Sequence, residues 1–308
     1  MSRRLSPTAL AHLLLLAVVI IWGATFVLIK DALQDASPLL FNLLRMTLAF
    51  VALAIINRRQ LHSIKRQSLI SGLIVGLFLA SGYQFQTAGL ARTTAAKSAL
   101  ITGLVVVFVP LFTIFPALRP RGTPPPRRTS ALGVILAFSG LLLLTTPPGT
   151  SWQNLFNTVG LGDILTLLCA VAFAAHLLSL AHVSKDIPTA QLATLQIGSA
   201  ALLMAMTLPL GGRSYLIPTP RLIAALAITS LLATAAAFTI QSWAQQYLPP
   251  THTAILLSLE PVFACITSFL VLHEHLGRRS FFGASLILIG IVVIELFPSN
   301  APIPIYPI

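Results

Sequence analysis

The chain has 308 residues, of which 56% are apolar and only 8% are charged, too few polar side chains to cover a water-soluble globule of this length. Lysine and arginine number 19 against 7 acidic residues, which gives a formal net charge of +12. The basic residues lie mostly between apolar runs, so the excess does not indicate a nucleic-acid-binding protein, and the composition predicts an all-α integral membrane protein.

Ten apolar runs follow one another along the chain, each close to the roughly 20 residues that a helix needs to cross a bilayer. They lie near residues 9–29, 38–56, 69–90, 98–117, 130–146, 161–182, 188–210, 221–247, 251–272 and 280–297. The first run is too long for the apolar part of a signal peptide and lacks an A-x-A exit, so we expect an uncleaved helix. The links between runs are short, which leaves no room for a soluble catalytic domain.

The basic residues predict an orientation. If the N-terminus is inside, eleven of them fall on the cytoplasmic side and seven outside. This bias favours a cytoplasmic N-terminus, and ten helices return the C-terminus to the same side. In the second half the bias reverses, so the orientation there follows from the helix count. We therefore expect a multi-pass protein of the cell membrane, plasma or inner, with both termini cytoplasmic.

The two halves of the chain share a pattern. In each half a glutamine stands thirteen residues before an alanine that opens a long apolar helix, and that helix then reaches a proline. The residues are Gln86, Ala99 and Pro110 in the first half, and Gln241, Ala254 and Pro261 in the second. Proline removes a backbone donor, so we expect helix kinks at Pro110 and Pro261.

A Pro/Gly/Ser/Asn-rich segment at residues 145–160, TTPPGTSWQNLFNTVG, divides the chain into repeats at 1–147 and 148–308. Each repeat holds five predicted helices, and an odd number makes the second copy enter the membrane upside down. The fold prediction is thus ten transmembrane helices arranged as two inverted five-helix repeats. Such an arrangement places a substrate site near mid-membrane, where the halves face each other.

Several blocks of sequence resemble a known family. They are IIWGATF at 20–26, LLFNLLRMTLAF at 39–50, TTAAKSALITGLVVVFVPLF at 93–112, GLGDILTLLCAVAFA at 160–174 and SLEPVFACITSFLVLHEHLGRRSFFGASLILIGIVV at 258–293. Together they resemble the EamA family of the drug/metabolite transporter superfamily. The resemblance covers nearly the whole chain and implies a ten-helix exporter of small metabolites, with amino acids and related compounds as the usual substrates.

Two residues with charged side chains, Glu260 and Arg45, fall deep inside predicted spans, where such groups must face a partner or a wet cavity. Glu260 lies about 12 Å into the ninth span, directly before Pro261. Its carboxylate could bind a substrate amine or take up a proton during transport, or it could only fix helix packing. Arg45 lies about 10 Å into the second span. It could pair with Glu260, hold a substrate carboxylate, brace the structure or snorkel to an interface.

Uncharged polar residues within the spans complete the candidate substrate pathway. They are Trp22 and Thr25 in the first span, Tyr83 and Gln86 in the third, Ser98 and Thr102 in the fourth, His176 in the sixth, and Gln241 and Gln245 in the eighth. The related glutamines Gln86 and Gln241 suit a pore wall that hydrogen-bonds a zwitterion. Hydrogen bonding between helices, and simple packing for His176, are the competing interpretations.

Enzyme motifs are incomplete. GLGD at 160–163 matches the G-x-G-D of intramembrane aspartyl proteases but lacks a second membrane aspartate, so we expect Asp163 to be a residue of the first helical turn. HEHLG at 273–277 lacks the second histidine of H-E-x-x-H. Cys169 and Cys265 have no disulfide or metal spacing. We predict no enzyme activity, catalytic residue, metal or cofactor.

The sequence therefore predicts a secondary transporter that works by alternating access between two inverted halves. A passive facilitator or channel, not coupled to an ion gradient, is the alternative. The expected partners are a small-molecule substrate and the lipid bilayer, with no nucleic acid. The oligomeric state stays open, a monomer included.

Overall fold

A computed structural model describes residues 6–121, 132–133, 135–137, 139–140, 143, 159–248, 253, 256–257, 259–273 and 277–296. Within these residues every regular element is a helix, and the only β-type pairing is an isolated antiparallel bridge between Ala36 and Leu216. The prediction of an all-α protein is confirmed for this part of the chain.

The helices have the following bounds. The α-helices are α1 Pro7–Ala32, α2 Pro38–Ile56, α3 Arg66–Leu90, α4 Ala95–Thr102, α5 Val105–Thr113, α6 Leu161–Val183, α7 Thr189–Thr207, α8 Pro220–Ser230, α9 Ala237–Ala244, α10 Glu260–Leu272 and α11 Arg278–Leu296. A π-helical turn, Leu231–Ala236, joins α8 to α9. Short 3-10 helices lie at Gln60–Ser63, Pro116–Leu118 and Leu208–Gly211.

Seven helical segments in the described residues are long and apolar enough to cross a membrane. They are Pro7–Ala32, Pro38–Ile56, Arg66–Leu90, Ala95–Thr113, Leu161–Val183, Thr189–Gly211 and Pro220–Ala244. Helix α10 is apolar but shorter, with 13 residues, and α11 falls on the tenth predicted run. Of the fifth run only residues 132–133, 135–137, 139–140 and 143 are described, and of the boundary segment 145–160 only residues 159–160.

Helix α3 packs closely against α7 through glycines. A Cβ added at Gly72 would lie 2.5 Å from the Cβ of Leu195, and one added at Gly76 would lie 2.6 Å from the carbonyl oxygen of Gln196. Small residues allow helix backbones to approach where lipid supplies no hydrophobic driving force between helices. This contact fixes α3, which carries Tyr83 and Gln86, against the second half of the chain.

Arg221, in the second predicted half, binds acidic residues of the first half near the point where α1 ends and α2 begins. We call this end of the molecule the Asp35 end. The Arg221 guanidinium donates to both carboxylate oxygens of buried Asp35, at 2.7 and 2.8 Å, and to Asp31 Oδ1 at 3.1 Å. These hydrogen bonds, with one from the Thr219 hydroxyl, hold the pKa of the Asp35 carboxyl below its usual range. The carboxylate therefore stays charged and keeps this connection at neutral pH.

A second ion pair lies at the same end. Lys97 Nζ is 2.8 Å from Asp163 Oδ2, which also accepts from the Gly160 backbone N–H at 3.1 Å in the first turn of α6. At the opposite end, where α2 ends and which we call the Asn57 end, the halves meet through an uncharged contact. There the Asn57 side chain donates to the Thr194 hydroxyl at 3.1 Å. The two ends are thus held by different chemistry.

Gly76→Ala should destabilise the protein by about 1–3 kcal/mol, because the new methyl group forces α3 away from the α7 backbone. Thermal unfolding of the purified protein in detergent measures the change. Gly277→Ala is the matched control, because a Cβ there meets nothing within 4 Å. Equal melting temperatures for the two variants would show that the α3–α7 contact tolerates a wider spacing.

Candidate functional site

A cavity of about 60 Å³ lies among α1, α2, α3, α4, α6, α9 and α10. Nine of the eleven candidate pathway residues line it: Trp22, Thr25, Arg45, Tyr83, Gln86, Thr102, His176, Gln241 and Glu260. Its volume corresponds to roughly four or more water molecules. The helices thus bring residues from distant parts of both halves to one small site, although their roles in transport stay predictions.

The two remaining candidates lie away from this cavity. Ser98 is buried on α4, and its hydroxyl has no hydrogen-bond partner among the described residues. Gln245 directly follows α9. Its Nε2 donates to the Leu177 carbonyl at 3.3 Å, and its Oε1 is buried without a hydrogen-bond partner in the part of the chain that the structure describes. Of the two expected kink prolines, Pro110 lies inside α5, whereas Pro261 lies in the first turn of α10.

Pro261 packs on the break between α4 and α5. A Cβ added at Gly103 would lie 2.7 Å from Pro261 Cγ. A proline suits the first turn of a helix because its missing N–H would have no helical partner there. Glu260, the first residue of α10, is thereby fixed beside the cavity.

Arg45 is 1% exposed and is held by neutral groups. Its Nε donates to the Thr234 hydroxyl at 2.7 Å, and its Nη2 donates to the Tyr83 hydroxyl at 3.1 Å and to the Ala233 carbonyl at 3.2 Å. The guanidinium carbon also lies 4.4 Å from the centre of the Tyr83 ring. This burial excludes snorkelling in this structure, and Arg45 forms no ion pair with Glu260.

The π-helical turn supplies two of the acceptors that hold Arg45. At its end the Ala237 N–H bonds to the carbonyls of Leu232 and Thr234. The Ala233 carbonyl accepts from two side chains, Trp22 Nε1 at 2.7 Å and Arg45 Nη2 at 3.2 Å. Turns of this kind occur frequently at functional sites.

Aromatic rings form much of the cavity wall. The Phe238 ring lies 5.3 Å from Trp22, 6.0 Å from Tyr83 and 5.6 Å from His176, measured between centroids. Phe173 meets the Tyr83 ring edge-on at 5.3 Å. Neither phenylalanine could be identified from the sequence, because an apolar residue in an apolar run carries no pattern that distinguishes a cavity wall from lipid contact.

Some polar groups at the cavity have partners. His176 Nε2 lies 2.9 Å from Gln196 Oε1, and the Gln196 amide donates to the Ser242 hydroxyl at 2.9 Å. The Thr25 hydroxyl donates to the Trp22 carbonyl at 2.8 Å. These bonds fit a packing role for His176 within a buried chain of hydrogen bonds.

Other polar groups at the cavity have no hydrogen-bond partner among the described residues. Half-buried Glu260 makes no side-chain hydrogen bond or ion pair with the described residues, and neither does the Gln86 amide. Gln241 Oε1 is buried without a partner. Arg45 Nη1 also lacks a hydrogen bond within the described part of the chain. The cavity therefore presents a carboxylate, two amides and one edge of a guanidinium to whatever enters it.

The sequence profile of the EamA-like transporter family matches residues 9–146 and again residues 160–296. An uncharacterized transporter of Archaeoglobus fulgidus is 35% identical over 93% of this chain and 86% of its own length. The uncharacterized transporter YoaV of Bacillus subtilis is 24% identical over 90% and 94% of the two chains.

A WAT1-related chloroplast protein of Arabidopsis thaliana is 27% identical over 95% of this chain and 71% of its own length. A solved crystal structure superposes on this one with a TM-score of 0.68 and 18% identity, over 93% of this chain and 96% of that one. At that identity the likeness shows the fold alone.

Arg45→Ala should destabilise the protein by about 2–5 kcal/mol, because it leaves a void and removes the partner of two buried hydroxyl groups. Thermal unfolding in detergent measures this loss. Arg45→Lys should fall between Arg45→Ala and the wild type, since lysine keeps the charge but not the planar fork. Arg58→Ala, at an exposed arginine, is the control. An Arg45→Ala protein as stable as this control would argue against bracing.

Proposed function

Because the chain belongs to the EamA-like transporter family, we propose that it is a secondary transporter that exports small amphipathic metabolites, with amino acids and related compounds as its substrate class. It is a multi-pass membrane transporter of the drug/metabolite transporter type and not an enzyme. The direction, the substrate class and the alternating-access mechanism are the proposed part.

The proposed architecture is ten helices in two inverted repeats, 1–147 and 148–308, with both termini cytoplasmic in the cell membrane. Helix starts support the repeat: α6 begins 154 residues after α1, α8 begins 154 after α3, and α10 begins 155 after α5. Gln86 and Gln241 are also 155 residues apart. The two matches of the family profile agree with this division.

The observation that carries the substrate proposal is that a basic and an acidic side chain line the same cavity without contacting each other. Arg45 and Glu260 both line it, yet neither has a counter-ion within 4.0 Å among the described residues. An unpaired charge inside a membrane protein is costly. A zwitterion neutralises both, with its carboxylate at Arg45 Nη1 and its ammonium group at Glu260.

The cavity walls suit the remainder of such a molecule. Phe173 and Phe238 provide apolar surface for a side chain, and the amides of Gln86 and Gln241 can donate or accept hydrogen bonds without adding charge. A volume of about 60 Å³ is small for an amino acid. Loading a larger substrate therefore requires the helices to move apart, which alternating access provides.

Proteoliposomes that contain the purified protein should accumulate amino acids against a gradient when a pH difference is imposed. Glu260→Gln should abolish this dependence on pH while the protein still inserts, because glutamine can neither take up a proton nor pair with an ammonium group. Flux of radiolabelled amino acids is the measurement.

Glu260→Asp is the matched control, since it keeps a titratable carboxyl group and should retain pH-driven uptake at a lower rate. Downhill flux alone in the wild type would indicate a passive facilitator. Normal, pH-dependent flux in Glu260→Gln would show that Glu260 does not take up the coupled proton.

A further inference from the structure

We infer that Thr234 is a positioning residue for substrate recognition: it fixes the π-helical turn Leu231–Ala236 and, through that turn, the guanidinium edge of Arg45 that meets the substrate carboxylate. The inference rests on the proposed function, since it concerns the same cavity. Thr234 does not line the cavity, and it acts only through its contacts with Arg45 and the turn.

Both hydrogen-bonding roles of the Thr234 hydroxyl are occupied. It donates to the Thr229 carbonyl, five residues earlier, at 2.7 Å, and it accepts from Arg45 Nε at 2.7 Å. The first bond spans the five-residue step of a π-helix. Because the proton is held by the backbone, the lone pairs of the hydroxyl are directed at Arg45.

The same turn fixes side chains from two other helices. The Ala233 carbonyl holds Trp22 of α1 and Arg45 of α2. With Nε and Nη2 both bonded, the planar guanidinium cannot rotate, so the direction of Nη1 is set. A rigid donor of this kind loses little entropy when it binds a carboxylate.

Thr234→Val keeps the side-chain shape and removes the hydroxyl. Proteoliposomes loaded with the twenty proteinogenic amino acids first identify one that the wild type transports, and its decarboxylated amine is the matched probe. The KM for the amino acid should rise about tenfold in Thr234→Val, the effect of losing one hydrogen bond to a charged group. The KM for the amine should stay within about twofold, because the amine has no carboxylate to place.

Thr234→Ser should restore the amino-acid KM. Thr229→Val is the control, because the Thr229 hydroxyl is equally buried in α8 and donates only to backbone carbonyls of that helix. A wild type that moves no amino acid overturns the proposed substrate class and this inference with it. An unchanged KM in Thr234→Val, or equal rises for acid and amine, overturns the inference alone.

A different observation carries a second inference: we propose that Arg66 and Asp186 form an ion pair at the Asn57 end in the other state of the transport cycle. The sequence places Lys-Asp at 30–31 and again at 185–186, and arginine at 66 and 221, all 155 residues apart. This is the spacing that relates the repeats. Arg66 and Asp186 are therefore the counterparts of Arg221 and Asp31.

The two equivalent pairs differ in this structure. Arg221 Nη1 lies 3.1 Å from Asp31 Oδ1, so the pair at the Asp35 end is formed. Arg66 and Asp186 are both exposed, and neither side chain makes a hydrogen bond or ion pair with the described residues. In the proposed alternating access, one repeat rocks against the other about the site, so the end that is closed in one state is open in the other. Breaking one pair is thus coupled to forming the other.

Asp186→Arg should slow transport by about two- to fivefold, the effect of losing one exposed ion pair, without lowering the melting temperature. The double variant Arg66→Asp/Asp186→Arg should recover the rate. A wild-type transport rate in the Asp186→Arg single variant would overturn the proposed Arg66–Asp186 pair.

Cross-linking tests the proposed Arg66–Asp186 pair without a transport assay. In a background with Cys169→Ala and Cys265→Ala, the pair Arg66→Cys/Asp186→Cys should form a reducible cross-link, and so should Asp31→Cys/Arg221→Cys. Failure of the first pair to cross-link would overturn the inference, whether or not the proposed substrates are transported.

Discussion

The buried guanidinium of Arg45 is the interaction on which the site depends. A cation at this depth is tolerated only because three neutral oxygens and an aromatic ring surround it. Those groups come from α3 and from the π-helical turn, so satisfying one charge fixes the relative positions of three elements. The ring of Tyr83 and the indole of Trp22 are held by the same arrangement, and they form part of the cavity wall.

Much of the fold could be predicted from composition and the length of the apolar runs, because length and hydropathy are local properties of the chain. The positions of the long helices follow the apolar runs, and the polar residues within the spans point to the cavity in nine of eleven cases. Polar atoms inside a membrane protein need partners or water, so a polar residue in such a run carries information about the interior.

Other features depend on contacts between distant segments and were not predictable. The segment from Ser230 to Ala236 contains neither proline nor glycine, yet it includes a π-helical turn. There the Thr234 hydroxyl donates to the Thr229 carbonyl, and the Ala233 carbonyl accepts from side chains of two other helices. Likewise, Glu260 and Pro261 were expected inside a helix, whereas a helix begins with them. Neither local propensity nor spacing reports which backbone groups a neighbouring helix will use.

The contact between Arg45 and the π-helical turn has a consequence for the symmetry of the proposed repeat. At a spacing of 155 residues, Arg45 corresponds to Ala200, Thr234 to Leu79 and Glu260 to Val105. In the proposed repeat, the first half carries the arginine without a threonine at the matching position, and the second half carries the threonine without the arginine. Each of the proposed halves therefore supplies a residue that the site needs and that the other half lacks at the matching position.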